Sequence, residues 1–147
     1  MADRLSAARA AVLEGLGEQV RRVPFELTDF SLQQWIIGLF KGLRRERIHL
    51  ALLDAHRHLI FDEPLADGTL QGVAGNLRKI VSRGLGLDAA GIVLMHNHPS
   101  GNVQPSPADI AETRRIATLL GNLDLPLHDH LVVAGNAIFS MRKANML

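Results

Sequence analysis

The stretch that most narrows the choice of fold runs from His96 to Asp109 and reads His-Asn-His-Pro-Ser-Gly-Asn-Val-Gln-Pro-Ser-Pro-Ala-Asp. It follows the short apolar run Gly91–Met95, which reads as a buried strand. Side chains at i and i+2 of an extended segment project to one face, so His96 and His98 can converge on one point. At the far end, Ser106, Pro107 and Asp109 suit the N-cap, N1 and N3 positions of a helix. The pattern predicts strand, loop and helix, with Pro99, Gly101, Pro105 and Pro107 restricting the loop. Asp109, on the first turn, then points back toward the loop from which the histidines emerge. Two imidazoles and one carboxylate make a three-ligand catalytic zinc set with a fourth position left for water. Ser106 and Asp109 also have a purely structural explanation as a capping box. The two roles are compatible, because an N-cap hydroxyl accepts a backbone N–H and keeps its own hydrogen to donate.

The absence of cysteine removes disulfides, thiolate metal sites and a Cys nucleophile. Metal chemistry must therefore come from carboxylates and the seven histidines. A formal net charge of +1 gives no strong pull toward nucleic acid or anionic membranes. One Trp, five Phe and no Tyr leave little for a base-stacking platform. No apolar run reaches the ~18 residues of a membrane span. Asp3, Arg4, Arg9 and Glu14 interrupt any secretory h-region. A cytoplasmic protein is the expectation.

Along the 147 residues, the spacing of Leu5, Ala8, Val12, Leu16 and Val20 predicts a helix over 4–22, although Gly15 and Gly17 weaken it. With Pro24 closing it, this N-terminal helical arm, residues 1–28, caps the domain or mediates homo-oligomerisation. Residues 29–147 form the main domain. A second helix is signalled by Ser31 and Gln34 as a capping box, with Leu32, Trp35, Ile36, Leu39, Phe40 and Leu43 as its apolar stripe. Trp35 reads as core or interface. Lys41, Arg44, Arg45 and Arg47 read as a solvated helix C-terminus, where cations suit the dipole, rather than as a DNA patch.

Ile48–Leu53 and Leu59–Glu63 form a hairpin across the polar turn Asp54–His58. His56 and His58 read as exposed turn residues, and His49 is read the same way on its strand. Gly68 and Thr69 open a helix carrying Leu70, Val73, Leu77, Ile80 and Val81, which ends at Gly84 or Gly86. The strand Gly91–Met95 then suggests a βαβ crossover. A helix from Pro107 to about Gly121 leads to a last hairpin, Leu127–Val133 and Ala137–Met141, around Gly135-Asn136. The order is ααββαβαββ, an α/β sandwich around a mixed β-sheet.

A hydrolytic site also needs a base. The upstream candidates are Asp62 and Glu63, which face opposite sides of their strand, so at most one points at the metal. Composition does not choose between them. By the same alternation His128 and His130 share a face and Asp129 takes the other, as supporting or sheet-surface residues. Ser100 reads as a loop hydrogen-bonding residue, and Asn97 as structural.

His-x-His-x7-Ser-x2-Asp with an upstream Glu resembles the JAMM motif of MPN+ zinc metalloproteases. The wording from His96 to Gly101, then Pro105-Ser106 and Asp109, is more specifically similar to the bacterial RadC-like branch. Glu63 before Gly68-Thr69, Arg78, and Asp129-His130 before an apolar strand match it too, although Leu77 stands where that branch usually has proline. The likeness covers roughly residues 30–142. It implies a JAB/MPN-type, cytidine-deaminase-like fold in which His96, His98 and Asp109 ligate Zn2+. It also implies Glu63 as general base and Ser106 as oxyanion stabiliser.

The implied activity is hydrolysis of a peptide or isopeptide bond in a protein or peptide substrate. The alternatives are a non-catalytic MPN-type scaffold that binds a partner through Trp35 or the arm, and a DNA-repair-associated RadC-like role. The near-neutral charge argues against strong nucleic-acid binding. His-Asn-His superficially suggests an HNH nuclease, but those letters mark residues dispersed across a ββα motif.

Overall fold

Leu13, Leu16 and Val20 recur at helical spacing and turn one side of the first helix, α1 (Ala2–Val20), toward α2 (Phe30–Phe40). Glycine is what lets the two helices close up. A Cβ at Gly38 would lie 2.8 Å from Leu13 Cδ1, and one at Gly17 would lie 3.2 Å from Trp35 Nε1. The first helix runs through Gly15 and Gly17 without a break, and of the two Gly17 is the one at the close approach. Its N-terminal half leaves Leu5 and Val12 exposed, whereas Val20 and Phe25 enter the same core as Trp35.

The structure, a computed structural model, describes residues 2–67 and 73–147. After the helix pair come β1 (Arg47–Leu53), β2 (Leu59–Asp67), α3 (Val73–Gly86), β3 (Gly91–Asn97), α4 (Pro107–Gly121), β4 (Leu127–Ala134) and β5 (Ala137–Ser140). This is the order ααββαβαββ. The expected helix start at Gly68 and Thr69, with Leu70, lies outside the described residues.

The strands form one sheet in the order β2-β1-β3-β4-β5, in which only the β3–β4 pair is parallel. Period-2 alternation gives it two apolar faces. Ile48, Leu50, Leu52, Ile92 and Leu94 meet Ile80 of α3 and Ile116 and Leu120 of α4. On the other face, Ala51, Leu53, Val93, Met95 and Leu131 meet Trp35, Ile36 and Phe40 of α2. The result is the expected mixed α/β sandwich with a helix pair on each face. The crossover through α3 passes over β1 rather than joining neighbouring strands; the neighbouring parallel pair is the one joined by α4.

Several local expectations change. The N-cap of α2 is Asp29, in extended conformation, whose Oδ1 accepts from Leu32 N at 2.8 Å. A carboxylate at the positive helix end begins the helix two residues before Ser31. The helix stops at Phe40, and Gly42 (φ +80°) reverses the chain. Arg44 and Arg45 therefore stand in a turn beyond the helix rather than in its last turn, and Arg47 opens β1. His49 is not exposed. It is buried edge-on against Trp35 and Phe40, with Nε2 2.7 Å from Asp62 Oδ2. Trp35 is buried too, so it offers no surface to a partner. A register shift opposite Ile92/Val93 inserts His128 as an extra residue. His128 consequently lines the same cavity as Asp129 and Val93, while His130 turns to the opposite face.

Candidate metal centre

His96 is the penultimate residue of β3, which is buried throughout, and His98 follows the strand directly, its N–H still donating to the Val133 carbonyl of β4 at 2.9 Å. The backbone bond from Gly101 N to His98 O then folds the loop back, with Gly101 at φ +88°. The loop ends at the capping box read from the sequence. Ser106 Oγ accepts from Asp109 N at 3.0 Å, and Asp109 Oδ2 accepts from Ser106 N at 2.9 Å. That reciprocal pair aims the carboxylate back at the histidines. Asp109 Oδ2 lies 3.3 Å from His98 Nε2 and 3.7 Å from His96 Nε2, and the two Nε2 atoms are 2.9 Å apart. His96, His98 and Asp109 form a group that could hold a metal ion among the described residues.

Burial alone would raise the Asp109 pKa. The His96 ring, the Ser106 amide and hydroxyl and the attraction of His96 outweigh it and hold the carboxyl far below the usual carboxylate range.

The outer ring nitrogens are also engaged, and they assign the tautomers. His98 Nδ1 lies 2.7 Å from the Asn102 carbonyl oxygen, which only accepts, so this nitrogen carries the proton. Thr113 Oγ1 donates to the Asp109 carbonyl at 2.6 Å and must therefore accept from His130 Nδ1 at 2.8 Å. His130 Nε2 is then a lone pair, and it accepts from His96 Nδ1 at 2.7 Å. Burial, reinforced by His96, holds the His130 pKa well below the ordinary imidazole range, in keeping with a neutral ring. With Nδ1 engaged in both motif rings, Nε2 is the nitrogen that each turns toward the other and toward the Asp109 carboxylate. Three donor atoms this close call for a proton or a metal ion among them.

The donor set fits zinc. Tetrahedral bonds of about 2.0–2.1 Å place ligand atoms roughly 3.3 Å apart. The three separations here, 2.9, 3.3 and 3.7 Å, bracket that value. Hydrogen-bonding the far nitrogen of each ligand ring is also what fixes a ligating histidine.

The other expected site residues divide. Ser106, Asp109 and His98 line a cleft of about 560 Å³, and Glu46, just ahead of β1, lines it with them. Glu63 is not part of that lining. It shares the sheet face of His96, but its carboxylate accepts from Arg83 Nε at 3.0 Å and lies 3.9 Å from Lys79 Nζ. Register places Glu63 level with Leu50 and Leu94, whereas Ala66 stands level with His96 across Ile48. Asp62 faces the other way, toward His49 and Arg21. Ser100 Oγ accepts from Asn102 N at 3.4 Å within the loop.

Three contributors were not singled out for the roles they take here. Asn97 Oδ1 accepts from Arg47 N at 2.7 Å and its Nδ2 donates to Arg45 O at 3.0 Å. It thereby pins the chain on both sides of Glu46 beside the histidines. Thr113 stands four residues beyond Asp109, one helical turn on, which is the available signal for it. Glu46 carries no periodic signal, since it lies in the turn before a strand.

The family described as RadC-like JAB domain matches residues 30–146. The chain is similar to the UPF0758 protein YeeS of Escherichia coli K12, at 39% identity over 80% of this chain and 79% of that one. It is similar to the UPF0758 protein YkfG of the same strain, at 35% identity over 80% and 74%. A UPF0758 protein of Burkholderia thailandensis is 34% identical over 97% of this chain and 58% of its own length.

Proposed function

The chain belongs to the RadC-like JAB domain family, and from that premise we propose that it is a zinc-dependent hydrolase of peptide or isopeptide bonds. The observation that carries the reading is the convergence of His96 Nε2, His98 Nε2 and Asp109 Oδ2 within 3.7 Å of one another. His96, His98 and Asp109 would hold the ion. When bound, zinc supplies Lewis acidity toward a carbonyl oxygen and lowers the pKa of water.

The chain's own residues do the rest. Glu46 takes the proton of the attacking water and passes it to the leaving amine, a role supported by its place in the cleft with Asp109 and Ser106. Ser106 already accepts from Asp109 N, so its hydroxyl hydrogen is available to the developing oxyanion. A preorganised donor of that kind contributes about 3 kcal/mol. The cap holds Ser106 at the helix N-terminus, where negative charge is favoured. Glu63 stays with Arg83 and Lys79, tying β2 to α3.

Metal content by mass spectrometry, with cleavage of a mixed peptide library followed by the same method, tests this. The reading expects one zinc per chain in the wild type and none in His98→Ala. Glu46→Gln keeps the zinc and loses roughly 100-fold or more in turnover, the usual weight of general-base catalysis. Glu63→Gln keeps both. A protein that takes up no zinc on reconstitution refutes the site. Zinc-loaded Glu46→Gln with full turnover refutes the base, and loss in Glu63→Gln alone returns that role to Glu63.

A further inference from the structure

His98 lies between two cavities. The first is the cleft already described, in which Glu46 and Asp109 are the acidic side chains among the described residues. The second, on the other side of the His98–Gly101 loop, is walled by Ile37, Phe40 and Leu43 and carries Lys41. It does not stand alone. Two further cavities, one reaching α1 and one reaching β5, also have Ile37 and Asn136 in their walls. Through these shared residues the three form a groove that runs along α2 where it faces α1 and the β4–β5 hairpin. Its volumes are about 360, 350 and 520 Å³.

The charges along this groove have one sign. Arg9, Lys41 and Lys143 line it, and no carboxylate does among the described residues. Ile37, Phe40 and Leu43 on one side and Ile138 and Phe139 on the other supply apolar walls. Between them the exposed Asn136 amide offers a donor and an acceptor that suit a peptide backbone. From Gln33 to Phe40 the groove follows about 10 Å of helix, and the turn to Leu43 extends it. At ~3.3 Å per residue it takes on the order of four extended residues.

The geometry points to this groove as the subsite for one side of the substrate, an extended peptide segment that alternates apolar and acidic residues and leads its scissile bond to His98. The inference rests on the hydrolase reading and narrows its substrate class. The charge of the groove sets the preference of this segment. Acidic side chains lie toward Lys41 and Lys143. A basic segment would meet like charge there.

Fluorescence anisotropy of the intact protein tests the groove without requiring cleavage. The probes are a fluorescein-labelled hexapeptide alternating Glu and Leu, its Lys/Leu counterpart, and a labelled single-stranded DNA oligonucleotide. The Glu/Leu peptide is expected to bind at least fivefold more tightly than the Lys/Leu peptide. Lys41→Glu and Lys143→Glu, both at exposed positions, should each weaken it by about fivefold, the scale of a reversed surface charge. Ile37→Asp should abolish it. Equal binding of the two peptides, or binding indifferent to all three variants, overturns the proposal. So does oligonucleotide binding that is lost in Lys41→Glu while the Glu/Leu peptide fails to compete. A protein that binds zinc but not the peptide refutes the groove and leaves the metal site standing; one that binds the peptide but no zinc does the reverse.

Discussion

Thr113→Val tests the tautomer chain most directly, because it removes one hydroxyl and almost no volume. Thr113 sits buried in α4, and its Oγ1 is the acceptor that keeps the proton on His130 Nδ1. With valine there, fully buried His130 must either leave that N–H unsatisfied or move the proton to Nε2. The first outcome costs about 1–3 kcal/mol of fold stability. The second sets an N–H of His130 against the N–H of His96 at a separation of 2.7 Å. His96 must then carry its proton on Nε2, the atom that faces His98 and Asp109. The second outcome opposes metal binding, and losing such an outer partner typically costs 10–100-fold in affinity. Zinc affinity from competition with a chromophoric chelator should therefore weaken by about 10–100-fold, or roughly 1.4–2.8 kcal/mol. Urea unfolding in excess chelator reads the stability part separately. The same substitution made on a His130→Leu background should change affinity little, since the chain is already cut. Zinc affinity within about twofold of wild type, together with an unchanged urea midpoint in chelator, would refute the hydrogen-bond chain from Thr113 through His130 to His96.

Ser106→Ala removes the hydroxyl that accepts from Asp109 N, and in chelated protein it should lower stability by about 1 kcal/mol, whereas Ser106→Gly should cost only a few tenths. Equal urea midpoints for wild type and alanine variant would show the cap to be idle. The same chelated protein should be acid-sensitive through His130. Burial holds its folded pKa well below the ordinary value, while the unfolded chain regains an imidazole near 6.5. The unfolded state then binds the extra proton, so stability is full above pH ~6.5 and falls as pH drops below it toward the lowered folded value. His130→Gln should flatten that slope in urea midpoints measured between pH 8 and pH 5, and a slope unchanged by the substitution would assign it to other groups.

The order and type of every element were legible because the apolar residues keep a clean period. Leu50, Leu52 and Leu94 fall on one face of the sheet and Ala51, Leu53 and Met95 on the other. What misled was local and has local causes. Asp29 and Ser31 are both good cap residues, and only the folded chain shows that the carboxylate takes Leu32 N. His49 looks exposed in sequence because its partner Asp62 comes from the neighbouring strand and its ring neighbours from α2. The faces of His128 and His130 were misread since a bulge adds one residue and breaks the period at that point.

The candidate site divides along the same line. His96, His98 and Asp109 lie within one strand–loop–helix unit, so their convergence follows from local geometry that the capping box itself enforces. Folding the first turn of α4 and aiming the carboxylate are one event. Glu46, Thr113 and His130 have no such local tie. Glu46 reaches the cleft because Asn97, the residue between the two histidines, holds the backbone at Arg45 and Arg47. His130 reaches His96 because β4 pairs in parallel with β3, through the crossover that α4 provides. The candidate ligands are thus set by the motif, while the proposed base and the His96–His130–Thr113 relay are set by sheet order. Asn97 consequently couples the two halves. Its side chain turns away from the histidines as period 2 requires, and it uses that position to fix where the Glu46 segment can lie.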